Sequence, residues 1–294
     1  MIKKNECLLC KFEGYKVVRV INEYNFKECL NCGLIYIDPQ PDENSIEQFY
    51  PEDYFNPQHP QGYHDVIARK DDVINYRLKA IVDLINNLSP DKGRLLEIGC
   101  ALGYFLELAQ KSGWEAKGVE LSPWASQYAK EETKVNVLTG KLEDIKFPDA
   151  YFDTIVMIEL IEHTQNPVTF LKEVYRILKP DGIILITTPN SRSIHGKIWR
   201  RKFQEIFFIP EHLFLFSIPT IKYMLELTDF KIMHLQTKTY LRRYYDYKIP
   251  PGLLRQMRAS SRRLLLRLIN SLTLGEMLVI VAKKSENYKW QVGR

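Results

Sequence analysis

Apolar residues in the middle of this chain fall alternately into short continuous runs and helical stripes. Leu95-Leu96-Glu97-Ile98, Thr154 to Ile158 and Ile183 to Ile186 are runs too continuous for a strand with one wet face, so they predict parallel strands buried on both sides. Between them the spacing changes to that of helices. Val66, Ile67, Val73, Ile74, Leu78, Ile81, Val82 and Ile85 predict one helix, ended by Ser89-Pro90-Asp91-Lys92-Gly93. Val168, Leu171, Val174, Ile177 and Leu178 predict another, followed by a Lys179-Pro180-Asp181-Gly182 turn. A helix from Pro219 to Leu227 and a strand pair, Lys231 to Thr239 and Met277 to Ala282, complete the pattern. Such alternation predicts an α/β fold, a doubly wound, mostly parallel sheet with ligands at the carboxyl ends of its strands.

The N-terminal residues follow a different rhythm. Tyr15 to Ile21 and Tyr24 to Lys27 predict a short hairpin, with Gly33 to Tyr36 as a third strand. Cys7-Leu8-Leu9-Cys10 and Cys29-Leu30-Asn31-Cys32-Gly33 flank it, two C-x2-C knuckles separated by 18 residues. Four thiolates at such spacing can meet at the corners of a tetrahedron around Zn2+, so Cys7, Cys10, Cys29 and Cys32 are expected to be metal ligands. A disulfide pair or a rubredoxin-type iron centre uses the same residues. A ribbon this small has little core, so the metal should supply much of its folding free energy. Cys100, inside a glycine turn, reads as a small apolar filler.

The expected organisation is therefore a zinc ribbon over 1–41, an aromatic connector and helix over 42–93, a core over 94–240, a basic helical insertion over 241–275, and a last strand and tail over 276–294. Leu254, Met257, Leu264, Leu265, Leu268 and Leu272 share one face of that insertion, while Arg255, Arg258, Arg262 and Arg267 lie mainly on the other. This amphipathic helix either packs on the last strand pair or makes peripheral contact with an anionic membrane through 253–274.

Composition adds limits. At 294 residues with 45% hydrophobic content, the chain can form one ordinary sheet domain plus a small appendage. Met1 to Glu6 leads into the first knuckle with no apolar core, so no secretory leader is expected and the location should be cytoplasmic, or peripheral to a membrane. No stretch reaches the ~18 apolar residues that span a bilayer; Leu264 to Ala282 is interrupted by Arg267, Asn270 and Glu276. A net charge of +5 does not by itself imply a nucleic-acid partner.

Leu95 to Gly103 and Glu120, twenty-one positions beyond Gly99, have the form of a nucleotide-type cofactor site. A dinucleotide fingerprint wants glycine at 99, 101 and 104, where this chain has Gly99, Ala101 and Tyr104. Counted instead as E-x-G-x-x-x-G, Glu97, Gly99 and Gly103 resemble motif I of class I S-adenosylmethionine-dependent methyltransferases. The resemblance covers roughly 90 to 240 and implies a seven-stranded, Rossmann-like sheet. It further implies that Glu97 holds the amino group of the methionine moiety, that Gly99 and Gly103 let the backbone approach it, with Ala101 a tolerated methyl where a middle glycine is common, and that Glu120, with Leu121 beside it, accepts from the ribose hydroxyls. Gly140-Lys141-Leu142-Glu143 is similar to the family's adenine-side segment, which implies adenine contacts at Leu142 and Glu143. Glu159-Leu160-Ile161-Glu162-His163 is similar to the segment flanking the methionine arm, which places Glu159 near the cofactor; its alternative is a surface carboxylate at a helix start, and His163 reads equally as a structural histidine.

Pro210-Glu211-His212-Leu213-Phe214-Leu215-Phe216-Ser217 is similar to a segment of zinc-ribbon-bearing methyltransferases that act on nucleotide-linked deoxysugars, where a Glu-His pair sits at the acceptor. That family normally carries a further C-terminal domain, which is not expected within these 294 residues. The resemblance implies His212 as general base, oriented by Glu211, for a small-molecule acceptor such as a sugar or lipid-linked intermediate. Asn190, His195, Tyr50 and Tyr54 are the remaining acceptor candidates. Three readings remain open: this one, an RNA methyltransferase using ribbon and basic helix, and a non-catalytic cofactor-binding interaction protein. The ribbon is only weakly basic, which argues against nucleic acid.

Overall fold

The computed structural model describes residues 6–42, 54, 71, 74–194, 211–239 and 259–285. A four-stranded sheet holds β1 (Tyr15–Ile21), β2 (Tyr24–Cys29), β3 (Ile35–Asp38) and, from far along the chain, β9 (Phe214–Leu215). Its expected third strand starts two residues late, because Gly33, at φ +78°, is used to close the second knuckle by donating its N–H to the Cys29 carbonyl. Lys27 of β2 and Asp38 of β3 form an ion pair at 2.6 Å, with both side chains largely covered.

The larger sheet has the order β10-β11-β8-β7-β4-β5-β6, built from β4 (Arg94–Ile98), β5 (Glu115–Glu120), β6 (Asn136–Thr139), β7 (Phe152–Ile158), β8 (Leu178–Pro189), β10 (Phe230–Lys238) and β11 (Met277–Lys284). Strand β11 runs against both neighbours, and the pairings among β4 to β8 are parallel. The chain moves one way from β4 to β6 and the other way from β7 to β8. That reversal opens a crevice beyond the carboxyl end of β4, where such sheets take their ligands. The expected turn at Lys179–Gly182 is a bulge inside β8: pairing with β7 jumps from Phe152↔Leu178 to Thr154↔Ile183.

Successive residues of the central strands face opposite layers, as the pleat requires. Leu96, Ile155, Ile184 and Ile280 enter one cluster, and Leu95, Val156, Leu185 and Val281 the other. The second cluster is closed by α1 (Lys79–Leu88), α2 (Tyr104–Lys111) and α3 (Pro123–Tyr128), through Ile81, Ile85, Phe105, Leu106 and Ala125. A short helix, α4 (Leu142–Ile145), precedes β7. The first cluster is closed by α5 (Pro167–Ile177) and α6 (Ile218–Leu227), and also by the ribbon: Phe26, Leu34 and Ile37 share it with Leu213, Phe214 and Phe216. Ribbon and core thus have one interior rather than two. The final helix, α7 (Ala259–Ser271), covers only part of the expected basic helix; residues 253–258 lie outside the described residues, as do 63–70 of the first predicted helix.

Candidate cofactor and acceptor site

Glu97 lies one residue before the end of β4, and the chain then turns through three positive-φ positions, Gly99 (+71°), Ala101 (+45°) and Gly103 (+76°), into α2. This path brings backbone to the crevice. The Ala101 N–H donates to Glu120 Oε2 at 2.8 Å and the Ser122 N–H to Oε1 at 2.9 Å, so the carboxylate ending β5 is locked to the glycine turn. Each oxygen keeps a lone pair for a ligand hydroxyl. Glu97 is 3% exposed and its Oε2 has no hydrogen-bond partner among the described residues. Burial first, and Glu120 second, push its carboxyl well above the usual range. A buried carboxylate without a donor is costly unless a cation meets it.

Gly103 has little room for a side chain. A Cβ there would lie 2.8 Å from Thr133 Oγ1 and Val135 Cγ2, with backbone already in the left-handed region. Gly103→Ala should combine a backbone penalty of ~1–2 kcal/mol with overpacking of ~1–3 kcal/mol. We expect the melting temperature to fall by roughly 5–12 °C in calorimetry; an unchanged value would show that the turn is not packed as described.

Glu159 follows β7 with φ +51° and forms an ion pair with Arg77 at 2.5 Å. Arg77 belongs to the π turn Ile74–Leu78 that precedes α1. Sequence reasoning missed it, since a lone cation in a helical stripe carries no local signal. Leu121 is half-buried after β5, Leu142 is buried at the start of α4, and Glu143 beside it is exposed.

On the acceptor side, the turn after β7 is tied to the Glu211–Leu213 segment. The Leu213 N–H donates to the Glu162 carbonyl at 2.9 Å, and His163 Nδ1 lies 2.9 Å from the Glu211 carbonyl. The rings of His163 and His212 meet edge to face, 4.8 Å between centroids. Glu162, His163 and His212 bring one ligand-capable atom each within 4.8 Å of the others. Glu162 is buried, with the Thr188 hydroxyl beside its carboxyl, and burial, then Glu159, pushes that carboxyl up to about 8. Burial, then His212, pulls His163 down to about 3, so its ring stays neutral near pH 7. Glu162 was not singled out in the sequence; its burial depends on packing that no local pattern reveals.

Asn190, a sequence candidate for acceptor contact, is 1% exposed. Its amide donates to the Gly275 carbonyl at 2.8 Å and accepts from the Arg192 N–H at 3.1 Å, bonds with which an acceptor would have to compete. Tyr54 is half-buried and packs against the α1–α2 side of the core. Tyr50 and His195 lie outside the described residues.

At the other end, the two knuckles repeat one geometry. Cys7 N–H bonds the Phe12 carbonyl as Cys29 N–H bonds that of Leu34, and Lys11 takes the positive φ that Gly33 takes. Cys7 and Cys32 sulfurs lie 3.5 Å apart, as do those of Cys10 and Cys29. The Cys7–Cys32 contact holds the Cys7 thiol down at about 5 and pushes Cys32 up, as expected of one proton between two sulfurs. Cys100 is buried against Gly118, with its thiol pushed well up by burial.

A family model described as a methyltransferase domain matches residues 73–235. A Mycolicibacterium smegmatis protein, described as a probable S-adenosylmethionine-dependent methyltransferase, is 30% identical over 97 residues, 33% of this chain and 38% of that protein. The ubiquinone biosynthesis O-methyltransferase of Rickettsia canadensis is 29% identical over 122 residues, 40% of this chain and 50% of that one. The chain thus spans half or less of these two relatives. A crystal structure of a SAM-dependent methyltransferase from Archaeoglobus fulgidus superposes with TM-score 0.52 at 23% identity, over 76% of this chain and 100% of the other, and shows the same fold.

Proposed function

Since the chain belongs to the methyltransferase-domain family, we propose that it acts as a class I S-adenosylmethionine-dependent methyltransferase on a hydroxyl of a small acceptor, such as a sugar or a lipid-linked intermediate. The observation that carries this reading is the buried Glu97 Oε2, without a partner among the described residues, beside a Glu120 fixed across the glycine turn. When bound, the cofactor supplies a methyl group already activated on a sulfonium. The protein's task is placement and deprotonation. In this reading Glu97 meets the amino group of the methionine arm, Glu120 the ribose hydroxyls, and Arg77, paired with Glu159, is the proposed partner of the methionine carboxylate. Leu121, Leu142 and Glu143 are the proposed adenine-side positions.

His212 is the proposed base. Glu162 lies within 4.8 Å of its ring, and a proton arriving on the imidazole would favour the ionised form of that carboxyl. The same cluster supports a second reading, in which Glu162, His163 and His212 hold a divalent ion that polarises the acceptor hydroxyl. A neutral His163 suits a ligand. His212→Gln should lower kcat by ~10²- to 10⁴-fold while the cofactor Kd changes less than about threefold. Unchanged turnover would remove His212 from the reaction. Wild-type turnover that disappears with a mild chelator and returns with a divalent salt would transfer its role from base to ligand.

Zn2+ fits the cysteine cluster. Ligands at about 2.3 Å in a tetrahedron put sulfurs about 3.8 Å apart, close to the 3.5 Å found. With four sulfurs there is no open position, so the role assigned is structural.

A further inference from the structure

Positive charge is concentrated in one stretch of this chain. Between Asp246 and Glu276 there are six cations, Lys248, Arg255, Arg258, Arg262, Arg263 and Arg267, and no acid. The whole chain carries +5, so everything outside this stretch nets −1 (+5 less +6). Helix α7 lies within it. Its inner side is anchored: Leu265 and Ile269 are half-buried, and the Thr237 and Thr239 hydroxyls donate to the carbonyl and side chain of Asn270, each at 3.1 Å. Its outer side is a ridge of Leu264, Leu268 and Leu272, one turn apart, 69%, 54% and 57% exposed, with exposed Arg267 beside it.

The end of this helix is fastened to the acceptor side. Ile194 N–H bonds the Leu274 carbonyl, Asn190 N–H that of Glu276, and Ser191 N–H that of Phe216, four residues beyond His212. All three residues follow the carboxyl end of β8, the edge of the sheet where ligands enter.

We propose that α7 docks the enzyme on an anionic membrane surface, its leucine ridge in the headgroup boundary, Arg267 against lipid phosphates and the basic stretch around it supplying electrostatic attraction, so that the acceptor is an amphiphile presented from that surface. The acceptor half rests on the methyl-transfer reading; the docking does not. Among the described residues no helix is long and apolar enough to cross a bilayer, and a basic helix with an exposed apolar ridge lies along the interface. RNA would meet three leucines where it needs donors, and a second copy would bring like charge against like.

The test is flotation of the full, metal-loaded protein with phosphatidylcholine vesicles, with and without phosphatidylglycerol, at low and high salt. Partitioning should be about tenfold or more stronger on the anionic vesicles, fall with salt, and drop about tenfold or more in the triple variant Leu264→Gln, Leu268→Gln, Leu272→Gln. Equal binding to neutral vesicles, binding unaffected by the triple variant, or salt-dependent binding to RNA with none to vesicles would overturn it. So would self-association in vesicle-free buffer that the triple variant abolishes, without flotation. Calorimetry with S-adenosylmethionine on the same samples separates the two readings: cofactor binding without flotation overturns docking alone, and flotation without cofactor binding overturns methyl transfer and leaves docking.

Discussion

Glu97→Gln lowers affinity for S-adenosylmethionine by about 10²- to 10³-fold, measured by titration calorimetry, and at the same time stabilises the ligand-free protein. Both expectations come from one buried oxygen. In the proposed complex, Glu97 would face the cofactor's ammonium in a site with no other described partner for its Oε2, and removing one member of a buried pair costs ~3–5 kcal/mol. In the free protein the carboxylate has burial and Glu120 against it. Its folded-state pKa is raised, so its contribution favours folding below the ordinary carboxylate range and is lost as pH rises through the raised value. The wild-type apoprotein should therefore lose stability with rising pH more steeply than Glu97→Gln, and cofactor should cancel that difference. An unchanged Kd would remove Glu97 from the site, and with it the main support for the proposed chemistry.

Cys29→Ala, or removal of the metal by a chelator, should melt the ribbon and abolish turnover while the cofactor Kd stays within about threefold. Structural zinc supplies an apparent ~10–16 kcal/mol to folding in small zinc domains, comparable to a typical domain's whole stability of ~5–15 kcal/mol. The damage should travel. Strand β3 pairs with β9, Tyr36 opposite Phe214, and the Ile37 N–H reaches the Leu213 carbonyl, the residue after His212. Hydrogen exchange should show Phe214 and Leu215 losing protection together with the ribbon, while β4 and β5 keep theirs. Elemental analysis of fresh protein should find one zinc per chain; red colour and iron would replace zinc by an iron centre, and an absence of metal would defeat the assignment.

Much of the frame could be read from the residues because it rests on local requirements. The knuckles repeat a spacing, the glycine turn needs positive φ at 99 and 103, and Glu120 closes a strand beside it. The buried runs announced β4, β7 and β8, and the sheet supplied their order. What could not be read depends on distant chain. Strand β9 has two residues, too few for any periodicity, and its partner is 180 positions away. The Lys179–Gly182 turn became a bulge because β7 pairs on both sides of it. Arg77 and Glu162 acquire their surroundings only when the turn after β7, the π turn before α1 and the Glu211–Leu213 segment meet.

The β3–β9 seam also has a consequence during synthesis. Ile35 and its partner Leu215 are 180 residues apart, so at ~5–20 residues per second the ribosome delivers the second some 9–36 s after the first. Throughout that interval Phe26, Leu34 and Ile37 lack the part of their interior that Leu213, Phe214 and Phe216 supply, and a metal captured early by the four cysteines would hold the short strands in register until it emerges.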